Sequence, residues 1–162
     1  MGVIVRAYRD SDVPAMRLIW NTVVEEGNAF PQTSPLSPEE AGAFFAEQSH
    51  TGVAELGGEI VGLYILHPNN VGRCGHIANT SYAVKAGRRG QHIGEALVKD
   101  SLAVAASLSF ALLQFNAVVA LNAGAIHLYN KLGFTQLGTI PGGFLMPDGS
   151  YADIILFYIK LV

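Results

Sequence analysis

The sequence predicts a single mixed α/β domain (α+β in the arrangement of its elements) with a central, largely antiparallel sheet flanked by helices. Three observations lead there. The chain has 162 residues, the length of about one domain. Its hydrophobic pattern switches between the two-residue repeat of strands and the 3.6-residue repeat of helices in the order β-α-α-β-β-β-α-β-α-β-β. No linker, internal repeat or low-complexity tract interrupts residues 1–162.

Each element has a local cause. Val3 to Tyr8 alternates and reads as a strand. Asp10 or Ser11 then caps a helix running towards Gly27, with Leu18, Ile19 and Val23 on its buried side. A loop rich in Pro and Ser follows. Ser37-Pro38-Glu39-Glu40 starts the second helix with Pro in the first turn and Ser and Glu three apart as a capping box. Gly57-Gly58 joins Gly52–Leu56 and Glu59–Leu66 as a hairpin. His67–Gly75 is a polar loop and His76–Val84 a strand. From Ile93 to Leu108 the pattern is helical, with Leu97, Val98, Leu102 and Ala105 as core positions. Phe110–Val119 is a strand, Asn122–Leu132 a short helix closed by Gly133, and Phe134–Ile140 another strand. Pro141–Ser150 reads as a loop before the last strand, Ala152–Leu161.

Composition excludes several classes. Half of the residues are hydrophobic and 14% are charged, against about 25% in an average domain. Such a chain folds around a tight core and has apolar surface left for a ligand cleft or a subunit interface. Ten Lys and Arg stand against 13 Asp and Glu, a net charge of −3, which argues against nucleic acid as a partner. The single Cys74 rules out a disulfide framework and a thiolate zinc site, and fits a reducing cytoplasm. His50, His67 and His127 show no metal-ligand spacing. The opening MGVIVRAYRD breaks into charge after five residues, too soon for a signal peptide. The uncharged apolar stretch Ser101–Leu113 falls short of the roughly 20 residues that span a bilayer. A soluble cytoplasmic protein without membrane partners is the expectation.

The chemistry concentrates at Ser81-Tyr82-Ala83-Val84-Lys85-Ala86-Gly87-Arg88-Arg89-Gly90-Gln91-His92-Ile93-Gly94, a strand, a turn and a helix start. Glycines let the turn bend sharply and let a ligand approach the peptide groups. The new helix presents unpaired N–H groups and the positive end of its dipole, which together bind anions. Lys85, Arg88 and Arg89 gather three of the ten basic residues there, which points to a phosphate-bearing ligand. A glycine turn with solvated charges is the alternative. The G-K-[ST] ending of a P-loop and the G-x-G-x-x-G of a dinucleotide site are both missing.

Arg89-Gly90-Gln91-His92-Ile93-Gly94 resembles the pyrophosphate signature [RQ]-x-x-G-x-[GA] of the GNAT superfamily of N-acetyltransferases, departing at His92 where that family usually has Gly. Asn122-Ala123-Gly124-Ala125-Ile126-His127-Leu128-Tyr129-Asn130-Lys131-Leu132-Gly133-Phe134 looks like the same family's N-x-x-A-x-x-x-Y-x-x-x-G-F. The two signatures occur in the expected order with one strand between them, and the order of elements matches over nearly the whole chain. The resemblance implies strands splayed apart at an acetyl-CoA site. Tyr82, Ala83, Val84, Arg88, Arg89, Gly90, Gln91, His92, Ile93, Gly94, Glu95, Asn122, Ala125 and Tyr129 would bind the cofactor. It also implies that the Tyr129 hydroxyl protonates the departing thiolate. Read without the family, Asn122 is equally a plain helix cap, and Tyr129, two turns along the same face, reads better as a core aromatic.

Pro68-Asn69-Asn70-Val71-Gly72-Arg73-Cys74-Gly75-His76-Ile77-Ala78-Asn79 and the Phe115-Asn116 pair are similar to segments of the GNAT branch that acetylates proline analogues such as azetidine-2-carboxylate. That similarity implies that Asn79 and Asn116 hold a small amine acceptor. Alternatively each satisfies nearby backbone, since an unpaired buried amide costs roughly 1–3 kcal/mol. His76, Glu25 and Glu26 are the candidate bases, and an acceptor arriving as free amine needs none. The reading is an acetyl-CoA-dependent N-acetyltransferase acting on the amine of a small molecule, an amino acid or proline-like imino acid. The alternatives are a non-catalytic acyl-CoA-binding sensor and a protein or peptide N-acetyltransferase. Family resemblance also implies a homodimer, though no motif specifies one.

Overall fold

In a computed structural model that describes residues 2–162, all eleven expected helices and strands occur in the expected order. They are β1 (Ile4–Ala7), α1 (Val13–Glu26), α2 (Pro38–Ala46), β2 (His50–Leu56), β3 (Glu59–Pro68), β4 (Ile77–Val84), α3 (Ile93–Ser107), β5 (Leu112–Val119), α4 (Ala123–Lys131), β6 (Thr135–Leu145) and β7 (Tyr151–Lys160). The strands form one seven-stranded sheet in the order β1-β2-β3-β4-β5-β7-β6. All neighbours are antiparallel except β4 and β5. No helix among the described residues is long and apolar enough to cross a membrane.

Two cores sandwich the sheet. On one face Met16, Ile19, Trp20, Val23 and Val24 of α1 pack with Phe45 of α2 over Val53, Leu63 and Ile65. On the other, Leu97, Val98 and Ala105 of α3 and the inner side of α4 pack over Tyr64, Leu66, Phe115 and Phe157. Leu102, placed among the core positions, packs at the edge of that second cluster. The expected burial of Leu18 is corrected: it is 64% exposed. The inward stripe of α1 steps through 16, 19, 20, 23 and 24, the three-and-four spacing of one helix face, and Leu18 lies opposite.

The start of α1 also differs from expectation. A single 3-10 turn, Asp10–Asp12, precedes it, and Asp12 is the cap residue. The Asp12 carboxylate accepts from the Arg9 backbone N–H at 2.8 Å and from the Arg6 guanidinium at 2.8 and 3.1 Å, tying the helix start to β1. Ser37 and Glu40 form the reciprocal capping box expected of α2, at 3.1 and 2.9 Å. Gly57 and Gly58 have φ of 58° and 82°, as a tight two-residue hairpin turn requires.

The segment expected as the loop Pro141–Ser150 is largely strand. β6 continues to Leu145, and its pairing jumps from Ile140↔Ile154 to Phe144↔Ala152, so residues 141–143 bulge. Proline is tolerated because β6 is an edge strand and the bulge needs no ladder N–H there. Gly142, at φ 66°, donates its N–H to Asp153 Oδ1 at 2.9 Å.

The feature that positions the site is the separation of β4 from β5. The two pair only at Ile77↔Leu112 and Ala78↔Leu113. Beyond that they diverge, and β5 carries a bulge between Phe115 and Val118 in its pairing with β7. β4 leads into the turn before α3, and β5 leads into α4. Two helix N-termini thus flank a wedge at the carboxyl ends of two parallel strands, where α/β folds place ligands.

Candidate active site

The turn between β4 and α3 joins open backbone to a helix start. Lys85 N donates to Val61 O at 2.8 Å and Arg88 N to Lys85 O at 3.1 Å, which fixes the bend. Gly87 and Gly90 have φ of 81° and 80°, and no atom lies within 4 Å of where a Cβ would stand on either, so the backbone faces open space. His92 caps α3 at φ 60°, a left-handed conformation that glycine adopts at less cost. This is the physical reason a glycine suits the position where this chain departs from the family signature. The N–H groups of Ile93, Gly94 and Glu95 begin the helix, so they have no carbonyl one turn earlier to donate to.

The three cations expected around this turn are not equally available. Lys85 and Arg88 both donate to the Glu59 carboxylate at the start of β3. These two contacts hold Glu59 below the usual carboxylate range. Arg89 remains, 3.7 Å from Glu26 and 76% exposed. The Glu95 carboxylate is similarly committed, to Lys99 and Lys131 at 2.9 Å each, and these lysines bring its pKa down to about 2. Glu95 therefore offers a ligand its backbone N–H rather than its side chain.

A cleft of about 790 Å³ runs over this turn and between α1, α3 and α4. Tyr82, Val84, Arg88, Arg89, Gly90, His92, Ile93, Gly94, Glu95 and Asn122 line it as the sequence places them. Ala83 does not: its side chain is buried in the core beneath α1. Gln91 lines a neighbouring hollow with Lys99 and Val3. Sequence reasoning missed the end of α1 (Val23, Glu26 as a wall, Asn28, Ala29), together with His127, Lys131 and Met146. No local motif marks those residues. The Gly27 backbone sits so close to Pro147 that a Cβ would lie 2.6 Å from its Cγ, which brings the β6–β7 turn over the cleft.

A second cavity of about 190 Å³ adjoins the first through Ala29, Tyr82 and Asn122 and occupies the wedge between β4 and β5. It brings together Asn79, Asn116, Ala125 and Tyr129, which the sequence had singled out, with Phe30, Pro31 and Thr80, which it had not. Asn79 donates its Nδ2 to Gln114 O at 2.9 Å, and its Oδ1 has no partner among the described residues. Asn116 is engaged at both ends, donating Nδ2 to Asn69 Oδ1 at 2.6 Å and accepting at Oδ1 from Gln114 Nε2 at 3.0 Å. The Asn122 Oδ1 accepts from Ala125 N at 3.2 Å, so Asn122 is a helix cap that also lines both cavities.

Tyr129 and Tyr82 differ sharply. The Tyr129 ring packs 4.4 Å from Phe115 and 5.6 Å from Phe157, centroid to centroid, yet its hydroxyl has no hydrogen-bond partner among the described residues. Burial pushes the Tyr129 pKa up, with a smaller contribution from Tyr82 nearby. The Tyr82 hydroxyl is locked: Thr80 Oγ1 donates to it at 2.8 Å, it meets Ser101 Oγ at 2.7 Å, and Ser101 donates to Val98 O at 2.7 Å. Burial pushes the Tyr82 pKa up to about 12. Of the candidate bases, Glu26 lines the larger cleft, and Glu25 and His76 line neither cavity.

The Acetyltransferase (GNAT) family model matches residues 16–134. The chain belongs to that family. Its sequence is 33% identical over 99 residues to N-acetyltransferase aca1 of Schizosaccharomyces pombe, a match covering 60% of this chain and 47% of that protein. The chain thus spans about half the length of that curated relative. Its structure is similar to that of a GCN5-related N-acetyltransferase from Kribbella flavida, with a TM-score of 0.90, 31% identity and 98% of each chain covered. The fold is also shared with a phosphinothricin acetyltransferase from Sinorhizobium meliloti, solved in complex with AcCoA, at a TM-score of 0.91 and 19% identity, covering 99% of this chain and 89% of that one. Acetyl-CoA is the family's cofactor. The residues here fit it: a long cleft, an open glycine turn, a helix start with free N–H groups and a largely exposed arginine, met only at 3.7 Å by Glu26, suit an elongated molecule that carries a pyrophosphate.

Proposed function

We propose that this chain is an acetyl-CoA-dependent N-acetyltransferase whose acceptor is the amine of a small molecule, an amino acid or proline-like imino acid. One observation carries the reading: a cavity of about 190 Å³ opens off the long cleft at the separation of β4 and β5, and the unpartnered Tyr129 side chain lines it. That space is about a quarter of the volume of the cleft it opens from. A compact acceptor fits it better than a peptide or a folded protein surface.

Acetyl-CoA supplies an activated acetyl thioester. The residues of this chain supply binding, orientation and a proton. The N–H groups at the start of α3 and Arg89 would hold the pyrophosphate. The unpaired edge of β4 at Tyr82–Val84 offers N–H donors to an oxygen on which charge develops. Tyr129 Oη carries its proton throughout the neutral range and has no other partner among the described residues, so it is free to donate to a developing thiolate. Holding both partners in adjoining cavities converts a bimolecular encounter into a local one.

The alternative of a non-catalytic acyl-CoA sensor is disfavoured by the free Tyr129 hydroxyl, for which a binding module has no structural use. The test is release of coenzyme A from acetyl-CoA with a panel of amino acids, imino acids, polyamines and peptides. Turnover confined to small amino or imino acids supports the reading. Turnover confined to peptides overturns the acceptor class, and tight acetyl-CoA binding without turnover for any amine favours the sensor.

A further inference from the structure

The long cleft is continued at the start of α3 by a hollow of about 630 Å³, and His92, Glu95 and Lys131 line both spaces. Gln91 and Lys99 supply the rest of the hollow's polar lining. Lys99 stands one turn after Glu95 on α3, and Lys131 ends α4, so the two helices bring both lysines to one carboxylate. Lys99 meets Glu95 Oε1 and Lys131 meets Oε2, each at 2.9 Å. One carboxylate balances one ammonium, and Glu95 is the only acid lining the hollow among the described residues. The acids around it have partners of their own. Tyr64 donates to Asp100 at 2.7 Å, Arg6 meets Glu55 at 3.4 Å, and Lys85 and Arg88 hold Glu59. A surplus positive charge is left. An ammonium has three donors, and the two lysine side chains stay 61% and 51% exposed, so donors remain for a ligand. At the junction of the two spaces His92, 82% exposed, adds a ring nitrogen that a glycine would lack.

Resting on the reading of the long cleft as the coenzyme A site, we infer that this hollow is the subsite for the cofactor's 3′-phosphate, with Lys99 and Lys131 as the residues that recognise it. Coenzyme A carries its negative charge in two places, the pyrophosphate and a phosphate monoester on the ribose. The N–H groups of α3 and Arg89 answer the first. The monoester carries close to two negative charges at neutral pH, and the two ammonium groups answer it. Glu95 tempers this attraction, because its carboxylate occupies a donor of each lysine and repels the phosphate. The protein therefore discriminates coenzyme A from carriers that share the pantetheine thioester but lack the 3′-phosphate.

The test is calorimetric titration of the intact protein, without acceptor and at fixed ionic strength, with coenzyme A and with 3′-dephospho-coenzyme A. Coenzyme A is expected to bind about tenfold more tightly. The double variant Lys99→Ala, Lys131→Ala is expected to close that gap by weakening coenzyme A far more than the dephospho form. Because that variant leaves Glu95 without its lysines, Glu95→Gln is measured beside it and is expected to widen the gap. Equal affinities in the wild-type protein, equal weakening of both ligands in the double variant, or a gap that narrows in Glu95→Gln overturns the inference while leaving the cofactor cleft in place. Binding of neither ligand to the wild-type protein overturns the reading of the cleft and the inference together.

Discussion

Asn79 of β4 donates its side-chain amide to the backbone carbonyl of Gln114 in β5 at 2.9 Å, one residue past the last paired position between the two strands. The side chain takes over where the backbone ladder stops. It bridges the two strands through Nδ2 and leaves Oδ1 without a partner among the described residues, in a side chain that lines the smaller cavity.

Asn79→Ala removes both the bridge and the unpartnered Oδ1. The loss of one hydrogen bond to a small ligand is worth about 0.5–1.5 kcal/mol, so KM for the acceptor is expected to rise by up to about tenfold while KM for acetyl-CoA stays unchanged. Steady-state kinetics with each substrate varied in turn check this. An equal rise in both constants would assign Asn79 to the sheet alone.

Arg89 and Lys85 lie four residues apart and predict opposite results. Lys85 is bound to Glu59, whereas Arg89 is exposed and only loosely met by Glu26. Arg89→Ala is expected to raise KM for acetyl-CoA severalfold and to weaken its dependence on salt, since an exposed cation acts through a screened field. Lys85→Ala is expected to leave that constant within about twofold. Titration of acetyl-CoA at low and high ionic strength distinguishes them, and a larger effect from Lys85 would reverse the assignment.

These residues also show where the sequence was legible. Periodicity and the Gly and Pro punctuation marked all the elements, because those signals are local. The Ser37–Glu40 capping box and the glycine turn were readable for the same reason. The neutralisation of Lys85 and Arg88 was not, because Glu59 lies 26 and 29 residues away in the chain and meets them only once β3 and β4 pair. The amide bridge from Asn116 to Asn69 spans 47 residues and was equally hidden. The wall contributed by Asn28 and Ala29 arises from the placement of a whole helix. Pro141 misled in the other direction, since a proline tolerated on an edge strand looks like a loop when its edge position is unknown.

His92 tests the helix start. At φ 60° an ordinary side chain is strained by about 1 kcal/mol. His92→Gly relieves that strain and makes the unfolded chain more flexible, terms of similar size, so stability should change little. His92→Val places a β-branched side chain in a region it avoids, and should cost about 1–2 kcal/mol. Denaturant unfolding of both variants measures the contrast, and equal stability would show that the turn relaxes.

Glu95 makes a prediction about acid. Lys99 and Lys131 bring its pKa down from 4.5 to about 2. A carboxylate depressed on folding contributes stability that is present above the unfolded value and lost as pH falls through the folded one. The contribution should therefore fade between about pH 4.5 and pH 2. Glu95→Gln is expected to lower stability at pH 7 and to flatten the loss across that window, more weakly in high salt. Thermal unfolding from pH 7 to pH 2 reads this directly, and parallel curves for the two proteins would show that the lysine contacts carry no net energy.

Tyr129 joins the fold to the proposed chemistry. Its ring belongs to the aromatic cluster with Phe115, Phe134 and Phe157, whereas its hydroxyl has no hydrogen-bond partner among the described residues. Tyr129→Phe therefore keeps the packing and should leave the unfolding midpoint almost unchanged. If Oη is the general acid, kcat should fall by about 10²–10⁴ with little change in either KM. The pH dependence follows from the raised pKa. Burial keeps the phenol protonated beyond its ordinary value near 10, so Tyr129 should impose no alkaline loss of kcat below about pH 10. A wild-type alkaline limb below that point which disappears in Tyr129→Phe would show a solvated phenol instead. An unaltered kcat in the variant would leave Tyr129 a core aromatic, and the leaving thiolate would then take its proton from water.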